Sequence, residues 1–432
     1  MGIFIFFVLA AIEIALAVFS IITKSKQLKV RSIARIFEGA ALLLLIILAI
    51  IHWGPSYYAL TGLILLLAVT GVMNLIRKKD EKKPYTTRHT IFKTIGMALL
   101  IFIAALPAIL FPQYEEIKPT GSYKVGTITY TYTDTNRIET YTSTGKNRRL
   151  NVEFWYPKDA QGTYPLVVFS HGSFGIKESN ETLYNELASH GYVVCSIDHT
   201  YQCFSTTDVN GNTIRMDSTY AKEIQAEDAH NNKQQSYEYY QKWMKIRTGD
   251  INFVIDHILG EANTPNSDRV YKLVDSTKIG VMGHSLGGSA ALGIGRQRKD
   301  IKAVISLEAP FMCDIEGVKN NEFVFTKENY PVPLLNVYSD SSWGHLADWP
   351  QYAENYALLS NTNKTAFSVH ISGVGHLSLT DLSLTSPVLT RILNGHKSTK
   401  GADCLKIINK LCLQFFDCYL KGEGQFKSSG NY

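Results

Sequence analysis

The sequence predicts an α/β protein, a mostly parallel sheet with helices on both faces, preceded by four transmembrane helices. Three observations lead there. Four apolar runs within the first 112 residues each approach the roughly 20 residues needed to cross a bilayer core. After residue 113, short strands of buried character alternate with helical segments. The chain has 432 residues, 45% hydrophobic and 19% charged, too long for one ordinary domain and too apolar to be disordered. A membrane region over 1–112 and a second domain over 113–432 follow as the expected organisation.

The apolar runs are Ile3 to Ile22, Ile36 to Trp53, Tyr57 to Ile76 and Thr94 to Pro112. In lipid every backbone polar group must be satisfied internally, which helices do on their own. The first run reads as an anchor rather than a cleaved leader, because nothing basic precedes it and Lys24, Lys26, Lys29, Arg31 and Arg35 follow it. Those residues, with Arg77, Lys78, Lys79, Lys82, Lys83 and Arg88 after the third run, place both connecting loops in the cytoplasm. The domain after Pro112 then lies on the extracytoplasmic side, and the plasma membrane is the expected location. Glu13 stands mid-span in the first run, where an ionisable group is expensive; protonation or pairing within the bundle is the expected state, with no second charge foreseen at its depth.

Charge separates the two regions. Residues 1–112 hold 12 Lys and Arg against 4 Asp and Glu, and the remainder holds 31 against 34. A slightly acidic soluble part lacks the clustered cations that phosphate backbones require, so nucleic acid is excluded as a partner. All 6 cysteines fall after residue 113. Their compartment permits disulfides, but Cys404, Cys412 and Cys418 share a helical arc with Leu411 and Phe415 and read as buried thiols. No Cys or His spacing matches a zinc site.

The order of elements follows from patterning. TITYTYT, IETYT and RLNVEFWYP are β-prone segments between about Tyr123 and Pro157. PLVVFSHG is a short buried strand, a helix covers about Asn180 to Ser189, and YVVCSIDH is the next strand. A polar stretch over 200–235 reads as a lid insertion, and it leads into a long amphipathic helix ending near Leu259. Then come KIGVMG, a helix from Leu286, KAVISLE, a second insertion over 310–331, PLLNVYSD, a third excursion, AFSVHIS, and a last helix from about Ala402 to Leu420. In such a sheet, ligands bind at the carboxyl ends of the strands.

That edge collects the reactive residues. Gly283-His284-Ser285-Leu286-Gly287 follows a strand and opens a helix, the setting in which a sharp turn exposes a serine hydroxyl and flanking glycines keep Cβ atoms out of the way. Without chemistry, the same glycines would make a helix start able to hold an anion. A serine needs a base and an oxyanion site. His171-Gly172-Ser173-Phe174-Gly175 ends a strand, so the backbone N–H groups of Ser173 and Leu286 are the candidate oxyanion donors. Four histidines follow the serine. His370 lies within a strand, His396 in a polar loop and His345 in an excursion, whereas His376 in Gly373-Val374-Gly375-His376 follows a late strand through a turn, as a base must. Glu308 and Asp340 end the two strands between, and either carboxylate can orient the imidazole.

The stretches VVFSHGSFG, LASHGYVVCSIDH, KIRTGDINFVIDHI, VMGHSLGGSAAL, ISLEAPF and GVGHLSLTDL together resemble the platelet-activating factor acetylhydrolase family of α/β-hydrolases. The resemblance spans about 120 to 420 and leaves out the apolar quarter. It implies an α/β-hydrolase fold, Ser285 as nucleophile, His376 as base, and an acid at position 308, where this chain has Glu and the family pattern has Asp. It also implies phospholipids with a short or oxidised acyl chain as substrates, cleaved without a metal; the four anchors independently make a lipid bilayer the expected partner, and the serine chemistry requires no cofactor. Trp243, Trp343, Trp349, Tyr239, Tyr240 and Tyr352 in the excursions either face acyl chains or pack the lid. A carboxylesterase or dienelactone-hydrolase-like enzyme on soluble esters uses the same residues, and a catalytically silent binding protein would keep only the fold.

Overall fold

The computed structural model describes residues 1–77, 85–360, 365–427 and 430–432. Two compact units emerge: Met1–Glu116 with Leu384–Ile392, and Ile117–Ser383 with Leu393–Tyr432.

In the first unit four helices form: α1 (Gly2–Ile22), α2 (Leu28–Ile47), α3 (Pro55–Ile76) and α4 (Thr87–Leu110). Among the described residues α1, α3 and α4 are long and apolar enough to cross a membrane. α2 departs from the expected span. It begins at Leu28, ahead of the apolar run that starts at Ile36, and so takes Lys29, Arg31, Arg35 and Glu38 into the helix. That shift corrects the reading of Glu13, because it brings two cations to the glutamate's depth. The Glu13 carboxylate accepts from Arg31 Nη1 at 2.5 Å and from Arg35 Nη2 at 3.2 Å, all three side chains being buried. Four of the lysines that orient the third loop, Lys78, Lys79, Lys82 and Lys83, lie outside the described residues.

The second unit is built on a nine-stranded sheet. Its strands are β1 (Val125–Ile138), β2 (Asn147–Pro157), β3 (Tyr164–Ser170), β4 (Val193–Asp198), β7 (Val274–His284), β8 (Ile301–Leu307), β11 (Leu334–Tyr338), β12 (Ala366–His370) and β13 (Gly430–Asn431). The order across the sheet is β1-β2-β4-β3-β7-β8-β11-β12-β13, with β2 antiparallel to both neighbours and the rest parallel. Two hairpins, β5/β6 (Ser205–Thr207 with Thr213–Arg215) and β9/β10 (Ile315–Lys319 with Glu322–Phe325), stand apart from it in the two insertions. The segment IETYT is not a strand of its own. Its first residue ends β1, and Glu139 turns back so that its N–H donates to the Lys146 carbonyl.

Helices cover both faces. α5 (Glu181–Ser189) lies between β3 and β4, α6 (Ser218–Ala226) sits in the first insertion, and α7 (Lys233–Ala262) follows it; the short α8 (Arg269–Lys272) precedes β7 and α9 (Leu286–Gln297) follows it. α7 buries Tyr240, Trp243, Met244, Arg247, Ile251, Val254, Ile255 and Ile258, a stripe at three- and four-residue spacing that docks on the core. Because both faces are covered, β3, β4 and β8 are almost wholly apolar and fully buried at their centres. Long βα crossovers then leave every loop that follows a parallel strand on one edge, which is where a site is assembled.

Candidate active site

Ser285 stands between β7 and α9 with φ 54° and ψ −128°, a left-handed conformation that a non-glycine residue holds only where its surroundings enforce it. The enforcement is close packing. A Cβ on Gly287 would run into the carbonyls of Ser170 and His171, and a Cβ on Gly172 would lie 2.8 Å from His284 Nδ1 and 3.1 Å from Ser285 Cβ. Glycine at 172 therefore lets the loop after β3 approach the serine, and with it the Ser173 backbone.

His376 follows β12 through the glycine turn, and its Nδ1 donates to Glu308 Oε2 at 2.9 Å. Glu308 directly follows β8 and is 1% exposed. Its carboxylate also accepts from Ser339 Oγ at 2.7 and 2.8 Å, from Ser339 N at 3.3 Å and from Ser342 Oγ at 2.5 Å. Burial alone would raise this carboxyl; the hydrogen bond and charge of His376 and the serine donors outweigh it and hold the group down at about 2. Asp340 goes elsewhere. Its Oδ1 pairs with His370 Nε2 at 2.9 Å and its Oδ2 accepts the Gly373 N–H at 3.0 Å, so it braces the turn that leads to His376. Among the described residues no hydrogen bond joins Ser285 Oγ to His376. The two line one pocket of about 320 Å³, together with Ser173, Leu286 and Glu308.

Several residues of this site carry weaker signals in the sequence. His284, the variable residue of the Gly-x-Ser-x-Gly pattern, lies with its ring 4.5 Å from that of His376 and its Nε2 3.1 Å from the His376 carbonyl. Burial, and then the neighbouring His376, push its imidazole down to about 3, so it is neutral and donates through Nε2. Ser341 Oγ accepts the His376 N–H at 3.0 Å. The run Ser339-Asp340-Ser341-Ser342 after β11 was the available signal, but its hydroxyls have no direction until the strand end is placed. Of the aromatic residues in the excursions, Tyr240, Trp243, Trp349 and Tyr352 line the pocket; Trp343 stacks on His370 at 4.9 Å, and Tyr239 stacks on Trp243 at 5.5 Å.

Behind the loop after β3 lies a second polar array, wholly buried. Ser170 Oγ meets His199 Nε2 at 2.8 Å, and His199 Nδ1 meets Asp250 Oδ2 at 2.9 Å. Asp250 is bound by Arg148 at 2.6 Å on both oxygens, while Arg247 donates to the His171 carbonyl and to Gln202 Oε1. Burial, with Arg247 next, pushes His199 down to about 4. These groups are closed off from solvent and tie down the backbone of the loop after β3. Nearby, His171, Asp198 and Cys203 bring their donor atoms within 4.8 Å of one another. Two of the three are already committed: His171 Nδ1 to the Gly172 carbonyl at 2.7 Å and its Nε2 to the His199 N–H at 3.3 Å, and Asp198 to the Lys177 N–H and the Thr206 hydroxyl. All six cysteines are free thiols.

A mostly parallel sheet, a strained serine between its fifth strand, β7, and the following helix, and a histidine after a later strand define the α/β-hydrolase fold. Residues 118–431 match the model of the family described as platelet-activating factor acetylhydrolase, isoform II, and the chain belongs to that family. Platelet-activating factor acetylhydrolase of Canis lupus familiaris is 24% identical over 271 residues, covering 60% of this chain and 57% of that protein. Cutinase 2 of Thermobifida cellulosilytica is 29% identical over 153 residues, covering 35% of this chain and 42% of that protein. The matches thus span about half the length of these relatives. Among solved structures, a ferulic acid esterase from Streptomyces cinnamoneus aligns with a TM-score of 0.56 at 21% identity, covering 72% of this chain and 96% of that one, a likeness of fold.

Proposed function

We propose that the protein is a serine ester hydrolase, anchored in a membrane by its N-terminal helices, that cleaves phospholipids with a short or oxidised acyl chain. The observation that supports it most is the single pocket that holds strained Ser285 beside His376 and Glu308. Ser285 Oγ attacks the ester carbonyl and His376 Nε2 takes its proton, with Glu308 holding the proton on Nδ1. The N–H groups of Ser173 and Leu286 hold the oxyanion; one such donor is typically worth about 2.7–4 kcal/mol in the transition state. His376 returns the proton to the departing alcohol, and water, activated by the same imidazole, releases the acid and regenerates Ser285.

Family membership and the apolar helices support a lipid ester. The basic loop after α1 supports an extracytoplasmic hydrolase domain at the plasma membrane, an orientation in which α2 also crosses. Pairing of Glu13 with Arg31 and Arg35 supports that crossing, because it removes unpaired charge from the bundle. Cytoplasmic labelling of a C-terminal tag in intact cells would overturn the orientation. A second reading, soluble esters, draws support from the modest pocket. Release of p-nitrophenol from its acetate by wild type and not by Ser285→Ala tests the hydrolase; a chain-length series with and without vesicles separates the substrates. Activity that rises on vesicles supports lipid, and indifference to them supports the soluble class.

A further inference from the structure

The pocket beside Ser285 contains a carboxylate that the hydrolytic steps do not use. Glu227 follows α6 in the first insertion and lines the cavity together with Tyr240, Trp243, Trp349 and Tyr352. Its Oε1 is occupied, accepting from Tyr240 Oη at 2.5 Å and from the Ala229 N–H at 3.0 Å. Its Oε2 has no hydrogen-bond partner among the described residues, and no Lys, Arg or His stands within ion-pair distance of it. The neighbouring Glu223 differs, since Lys242 Nζ at 2.5 Å and Trp243 Nε1 at 3.0 Å engage it. Glu308, the other carboxylate on the pocket wall, is fully engaged by His376, Ser339 and Ser342. No lysine or arginine lines the pocket among the described residues.

We propose that Glu227 is the charge selector of this pocket, favouring an ester that carries an ammonium group and disfavouring one that carries a carboxylate. The inference rests on the ester-hydrolase reading and deepens it. An ammonium group is attracted both by a free carboxylate oxygen and by electron-rich rings, and more strongly where the walls exclude water. A carboxylate meets the opposite field. A neutral short ester carries no charge for Glu227 to attract or repel.

The test compares inhibitors of p-nitrophenyl acetate hydrolysis by the full chain in detergent. Choline is set against its uncharged isostere 3,3-dimethylbutan-1-ol, and butyrate supplies the anion. In wild type choline is expected to inhibit about tenfold more tightly than the alcohol. In Glu227→Gln that ratio falls to within about twofold while butyrate inhibition tightens severalfold, each inhibition being referred to the variant's own uninhibited rate. Opposite movement of cation and anion identifies charge; equal weakening of all three would mean a change of shape and overturn the proposal. Equal inhibition by choline and the alcohol in wild type overturns it without any variant. Quenching of tryptophan fluorescence by choline in Ser285→Ala, with Trp243 and Trp349 as reporters, reads the same preference without turnover. Absence of hydrolysis by wild type would therefore sink the esterase reading while leaving this measurement to decide the selector.

Discussion

Replacing Glu308 by glutamine tests the acid by a route that the donors around it dictate. Oε1 faces three groups, Ser339 Oγ, Ser342 Oγ and the Ser339 N–H, and the last cannot become an acceptor. Oε2 faces His376 Nδ1 and the rotatable Ser339 hydroxyl. The amide nitrogen of Glu308→Gln therefore settles at the Oε2 position and donates to His376 Nδ1. The imidazole then keeps its proton on Nε2, where it cannot accept one from Ser285. Loss of tautomer and of imidazolium stabilisation together amounts to roughly 10⁴-fold in kcat, or about 5.4 kcal/mol of barrier. Asp340→Asn removes only a brace on the turn before His376 and is expected to lower kcat by about tenfold or less, with KM unchanged. Steady-state hydrolysis of p-nitrophenyl acetate by the two variants, each checked for a native circular dichroism spectrum, decides between them. If Asp340→Asn is the crippling change and Glu308→Gln stays within tenfold of wild type, the assignment of Glu308 is wrong.

The same carboxylate links stability to pH. Its folded-state value, about 2 against 4.5 unperturbed, means that its contribution is fully present above about pH 4.5 and is lost as pH falls toward 2; it is on the order of 3 kcal/mol. Denaturant unfolding at pH 5 and pH 2.5 should show the wild type losing its advantage over Glu308→Gln. Glu13→Gln leaves Arg31 and Arg35 buried without their carboxylate, and a loss of about 3–5 kcal/mol should appear as a lower melting temperature in detergent; an unchanged melting temperature would show that the triad is not the bundle's tie. Gly287→Ala drives a methyl group into the Ser170 and His171 carbonyls and should prevent recovery of soluble, active protein. His199→Gln cuts the tie from Ser170 to Asp250 behind the loop proposed to hold the oxyanion, so kcat should fall while KM for a neutral ester holds; a changed KM with intact kcat would point to binding instead.

Much of the architecture is local in origin and therefore legible in the chain itself. Apolar runs such as Ile3 to Ile22 and buried strands such as LVVF and AVISL declare themselves by composition, because a segment buried on all sides has no polar face to interrupt it. Gly283-His284-Ser285-Leu286-Gly287 is likewise a local device, since the strain at Ser285 needs small residues at fixed spacing. Glu308 and Asp340 are different. Each closely follows a strand, β8 and β11 are neighbours, and only the directions taken by the chain after them bring Glu308 to His376 and send Asp340 to His370. The partners of Glu13 depended on where α2 begins, a boundary that the hydropathy of Ile36 to Trp53 could not show. Glu227 and the array of Ser170, His199, Asp250 and Arg148 join residues from 13 to 102 positions apart in sequence, so no spacing rule announces them. Sequence determined which segments are buried and where the serine turn lies, because those depend on residues near in the chain. Tertiary structure decided which charges meet, because a hydrogen bond or an ion pair is set by distance in space.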